Sequence, residues 1–139
     1  MPVASRSLYF ENSVGRIWEE PAGYLRLEYK PGGRAELDFH ALLNHCAQAL
    51  GRRQWSCLLV DQRQMAPFGP GEQHWMGTEW LPRAVHEYGY RFGAVLVAQN
   101  VFARLAMTQL VLSTRDLPHT YRTFEHEDEA VGWLLKQGQ

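Results

Sequence analysis

Nothing in this 139-residue chain approaches the roughly 20 consecutive apolar residues that a membrane-spanning helix needs, and no long apolar segment follows Arg6 to make a secretory signal. An excess of one charge is also missing. With 14 Lys and Arg against 15 Asp and Glu, the chain has no broad positive field to draw in a nucleic-acid duplex or an anionic membrane. Cysteine is scarce: Cys46 falls in a helical pattern and Cys57 in a strand pattern, both among apolar residues. Without metal-type spacing, they read as reduced core thiols of a cytoplasmic protein. Phosphate cradles are lacking as well. Gly32-Gly33 is a turn, and neither a Gly-x-Gly-x-x-Gly nor a P-loop occurs, so no nucleotide or other cofactor is expected.

What is present is a chain with 45% hydrophobic residues and 12% aromatics. That is enough for one domain over residues 1–139 that buries about two thirds of its unfolded surface. Leu8 to Tyr29 reads as a β-meander with turns at Asn12-Ser13 and Pro21-Ala22-Gly23. In its third run Leu25, Leu27 and Tyr29 point one way and Tyr24, Arg26 and Glu28 the other, as in a half-buried strand. From Glu36 to Leu50 the period turns helical, with Phe39, Leu42, Leu43, Cys46, Ala49 and Leu50 in one stripe and Gly51 as the expected C-cap.

Ser56 to Val60 and Phe92 to Ala98 are continuous apolar runs, the pattern of strands covered on both faces. Between them Glu72 to Tyr88 carries helical signals, with a kink expected at Pro82, or two short helices with Pro82 in the first turn of the second. Asn100 is an N-cap for a helix burying Ala103, Ala106, Met107, Leu110 and Val111. A short strand, Thr120 to Phe124, leads to a last helix, His126 to Lys136, docked by Ala130, Trp133 and Leu134. Strands alternating with helices after a meander predict an α/β fold, a mixed sheet covered by helices.

Ligands gather outside the carboxyl ends of buried parallel strands, and Asp61-Gln62-Arg63 stands at such an end. Spaced two apart, Asp61 and Arg63 are able to share a face and pair. Arg63 would then hold an anionic group while Asp61 orients it, or the two would simply cap the turn and form an ion pair. His74, Trp75 and Trp80 follow on the next helical segment, where the tryptophans would wall an apolar pocket and His74 would add a polar handle, or where they would pack in the core. The six histidines include no His-x-x-x-His spacing. His40 and His45 lie roughly 140° apart around a helix, so no metal is expected. Ser113, Thr114 and Cys57 lack the surroundings of a nucleophile.

The order of elements, together with the closing Phe124-Glu-His-Glu-Asp-Glu-Ala130-Val-Gly-Trp133-Leu134, resembles the SpoIIAA-like fold shared by STAS and CRAL-TRIO domains. Asp61-Gln-Arg63, Trp75 and Trp80-Leu-Pro82 are also similar to motifs in a set of small bacterial STAS-like proteins. The resemblance implies a non-enzymatic regulatory module acting through a protein partner or a homodimer. STAS antagonists of anti-sigma factors carry a phosphorylated Ser after the strand-end Asp, but Gln62 stands there, so a phosphoswitch is not expected. The alternative is a CRAL-TRIO-type domain holding a small apolar or lipid ligand near the end of strand 56–61. A third reading is a hydrolase using Asp61 or His74.

Overall fold

The computed structural model describes residues 5–138. Three strands open the chain: β1 (Ser7–Glu11), β2 (Gly15–Glu20) and β3 (Tyr24–Tyr29). The Asn12 Oδ1 accepts the N–H groups of Val14 at 2.9 Å and Gly15 at 3.4 Å, which closes the first turn. Gly23 takes a φ of 99° in the second, a conformation that costs glycine nothing. The remaining strands are β4 (Cys57–Asp61), β5 (Phe92–Leu96) and β6 (Thr120–Phe124).

Among the described residues these form one six-stranded sheet in the order β1-β2-β3-β4-β5-β6. The β1-β2 and β2-β3 pairs are antiparallel, and β3 through β6 are parallel. Each parallel step is bridged by helix: α1 (Glu36–Arg53), then α2 (Pro70–Trp75) with α3 (Leu81–Tyr88), then α4 (Val101–Ser113). Crossovers of one hand that always step the same way leave their helices on one face. Accordingly Phe39, Leu43, Trp80, Val85 and Leu110 pack with Ile17, Leu27, Leu58, Val60 and Val95 in one core. The opposite face is covered by α5 (Glu127–Gln137), whose Ala130 and Leu134 meet Tyr24, Cys57, Leu59, Ala94 and Leu96. No helix of the described residues is long and apolar enough to cross a membrane.

Three boundaries differ from the sequence reading. First, α1 runs through Gly51 to Arg53 and ends at Gln54, which adopts a φ of 58°. Gly51 is a packing residue, because a Cβ there would lie 2.6 Å from Cδ1 of Tyr88. Second, two short helices with Pro82 in the first turn of the second are present as expected, but α2 begins at Pro70 and the two are joined by a π-helical turn over Met76–Trp80, in which the Leu81 N–H bonds Met76 O, five residues back. Proline offers no N–H and crowds the carbonyl four residues earlier, and a wider turn relieves both conflicts. Third, the apolar run from Phe92 stays in the sheet only to Leu96.

Candidate functional site

β4 lies between β3 and β5 and is buried along its whole length, which places Asp61 at the carboxyl end of a central strand, opposite Glu28 and Leu96. Side chains alternate across the sheet, so Asp61 emerges on the α5 side, the same side as Arg26 and Glu28 of β3 and Arg16 of β2. Arg63 follows two residues later, beyond the strand, and folds back. Asp61 Oδ1 accepts the Arg63 backbone N–H at 3.1 Å and Arg63 Nε at 3.0 Å. Asp61 Oδ2 accepts Arg63 Nη2 at 2.9 Å and Arg26 Nη2 at 2.8 Å. The carboxylate is thus forked by one guanidinium and touched by a second.

The pair belongs to a longer chain of alternating charge. Arg26, only 4% exposed, also holds Glu28 Oε2 at 3.4 Å through Nε. Its Nη1 lies 2.9 Å from Glu127 Oε1 in the first turn of α5, but off the line of the N–H bonds, so that contact is ionic without being a hydrogen bond. Arg63 Nη2 reaches the same Glu127 oxygen at 3.4 Å. Arg16 bridges Glu28 at 3.0 Å and Glu11 at 2.7 Å, and Lys30 meets Glu11 at 2.9 Å. Burial pushes the Asp61 carboxyl up, but the side-chain and backbone hydrogen bonds from Arg63, with the charges of Arg63 and Arg26, outweigh it and hold the pKa below the usual aspartate value. A carboxylate so saturated with donors is a poor acceptor for a substrate proton.

A cleft of about 820 Å³ opens over this network, lined by Arg16, Arg26, Lys30, Arg63, Gln64 and Gln99 together with Glu28 and Asp61. The loop beyond is pinned by Arg34, which donates to Ala66 O at 2.9 Å, to Pro67 O at 2.8 Å and to both carboxylate oxygens of Glu72. Arg34 therefore fixes the path of the chain that carries Arg63 and Gln64.

Of the residues singled out in the sequence, the structure brings Asp61 and Arg63 together and leaves the other three elsewhere. His74 is exposed on α2. Trp75 stacks on His40 with ring centroids 3.8 Å apart and meets Phe39 edge-on. Trp80 is buried under the sheet and donates its Nε1–H to Leu43 O. None of the three lines the cleft. Arg26, Arg16, Lys30 and Glu127 went unrecognised in the sequence. Period-two alternation assigns Arg26 to the open side of β3 and gives no sign that α5 closes over it. The acidic turn Glu127-Asp128-Glu129 suits the positive end of the α5 dipole by itself, so it carried no sign of a buried cation nearby.

No family model, no curated protein and no solved structure matches the chain.

Proposed function

We propose that this protein is a non-enzymatic, STAS-like interaction module whose occupant is a second copy of itself, docked along α4. Sequential parallel strands joined by helices on one face support the SpoIIAA-like resemblance, and fold alone assigns no activity. The observation that carries the reading is α4 itself. Ala103, Ala106, Met107 and Leu110 face the core, yet Val101, Phe102, Leu105 and Leu112 on the other side each leave more than half of their surface in solvent. A helix apolar all round belongs in an interior, and only one side of α4 has one.

Thr108 and Gln109 are polar members of the exposed stripe, and Arg104, also exposed, flanks it one turn from Val101 and Thr108. In an antiparallel contact centred between Leu105 and Thr108, Phe102 of one copy falls beside Leu112 of the other. There a groove of about 520 Å³ between α4 and β6, with Met107, Val111, Leu112 and Tyr121 along it and Arg104 and Arg122 at its walls, offers an aromatic anchor a place. The interface is isologous, as a two-fold dimer requires.

Sedimentation equilibrium of the full chain tests this. The expected result is a dimer at micromolar concentration that becomes monomeric in the Phe102→Glu, Leu105→Glu double variant with an unchanged melting temperature. A wild-type chain still monomeric near millimolar concentration refutes self-docking. The CRAL-TRIO-type alternative places an apolar ligand near Asp61, Arg63, Trp75 and Trp80 at the end of strand 56–61; Trp75 packs on His40 and Trp80 bonds Leu43 O, so neither ring lines the cleft there.

A further inference from the structure

We propose that the cleft at the carboxyl ends of β3 and β4 binds a small organic anion carrying two or more negative charges, a phosphate ester or a polycarboxylate. Arg16, Lys30 and Arg63 are the contacting residues, and Arg26 is the buried positioning residue. The proposal stands apart from the α4 interface.

It rests on an imbalance between acceptors already used and donors left over. Both carboxylates that line the cleft are occupied. Asp61 accepts from Arg63 and Arg26 on its two oxygens, and Glu28 accepts Arg16 on one oxygen and Arg26 on the other. Each is surrounded by guanidinium and has little left to offer a cation. The four cations lining the cleft are in the opposite condition. Arg63 uses Nε and Nη2 on its partners, Arg16 uses Nε and Nη1, and Lys30 meets Glu11 alone. Among the described residues that leaves Arg63 Nη1, Arg16 Nη2 and two ammonium hydrogens of Lys30 without a partner. Arg26 Nη1 is buried and makes no well-aligned hydrogen bond. A site with filled acceptors and open donors selects a ligand made of acceptors.

Size narrows the class. The open donors stand on β2, just past β3 and just past β4, across a cleft of about 820 Å³. That volume is in the range of small-molecule sites and far larger than a single phosphate. Spanning it takes anionic groups at two points, while Gln64 and Gln99 supply neutral donors and acceptors between them. Arginine is suited to the task because its planar fork meets carboxylate or phosphate oxygens in pairs. Arg26, held from three directions by Glu28, Asp61 and Glu127, keeps both carboxylates in place so that they do not turn into the cleft and oppose the ligand.

Isothermal titration calorimetry on the full chain, with inorganic pyrophosphate and citrate as separate probes and sodium chloride at matched ionic strength as the blank, decides the matter. Saturable one-to-one binding of either probe is expected, pyrophosphate alone marking a phosphate ester and citrate alone a polycarboxylate. Arg63→Ala and Arg16→Ala should each weaken it about 10- to 100-fold, the loss of a charge-assisted hydrogen bond or two. Arg63→Lys should recover only part of that, and the remote Lys136→Ala should leave binding unchanged. Glu28→Gln should tighten binding, because it frees Arg16 Nη1 and removes a facing negative charge; a purely structural network would give no gain. Absence of saturable heat with both probes at about 10 mM, a concentration that reveals even weak millimolar binding, overturns the proposal. Equal affinity in wild type, Arg16→Ala and Arg63→Ala overturns it equally.

Discussion

Gly51 shows how a single residue is misassigned when its neighbours in space are unknown. Glycine after an apolar helical stripe signals a left-handed cap, yet here α1 continues two residues further and Gln54 takes the left-handed position. Gly51 is retained by Tyr88, whose ring occupies the space of a Cβ. Replacing it with Ala gains about 1 kcal/mol of helix propensity but forces a contact that costs about 1 to 3 kcal/mol. Gly51→Ala is therefore expected to destabilise the wild type slightly and to stabilise a Tyr88→Ala background. Urea denaturation of the four proteins in that cycle checks it, and a cap glycine would be destabilised in both backgrounds. Arg26 is the second such residue. Its place in the alternation was legible, and its burial was not, because burial depends on a helix about a hundred residues later in the chain.

Elements were more legible than residues. Meander, helices and buried strands were each readable from period and turn chemistry, because hydrophobic spacing is a local property. Asn100 caps α4 as its type predicts, accepting from the N–H groups of Phe102 and Ala103. The docking of α5 was only partly readable. Ala130 and Leu134 are buried, whereas Trp133 is half-buried at the rim, between Phe92 and Phe124 at centroid distances of 6.2 and 5.9 Å. A fully enclosed indole would cost about 3 to 5 kcal/mol on truncation. At a rim, with less surface withdrawn from water, Trp133→Ala is expected to cost about 1 to 3 kcal/mol in chemical denaturation. A loss beyond that range would mean that α5 and its acidic turn depend on this one ring.

At the scale of the whole molecule, the response of stability to pH turns on a histidine outside the cleft. His119 sits against Tyr90 and Tyr121 with ring centroids 4.2 Å away, and its Nε2 is buried without a partner. Burial, aided by the charge of Arg91, pushes its pKa down to about 4. The unfolded chain takes up this proton near pH 6.5 and the folded chain does not. The contribution is therefore complete above about pH 6.5 and is lost as pH falls toward 4, by at most about 1.4 kcal/mol per pH unit. Asp61 and Glu72, both held below their usual values, act in the same direction but only at lower pH. His119→Phe should flatten the melting temperature between pH 7 and 5. A profile unchanged by that substitution would show that the ring is hydrated.

By itself the sequence determined the α/β class, the run of elements and the position of Asp61 and Arg63 at a strand end, because each follows from periodicity and chain order. Only the tertiary structure decided what surrounds that position. The sheet order brought Arg16, Arg26 and Glu28 alongside Asp61, α5 brought Glu127, and Trp75 and Trp80 were drawn into packing against α1. The exposure of α4 was decided at the same level. Its buried face was legible in Ala103, Ala106, Met107 and Leu110, but that nothing would cover the apolar residues opposite depended on how far the other helices reach. Local spacing fixes which way a side chain points along its own element. The partner that meets it is set by contacts across the chain.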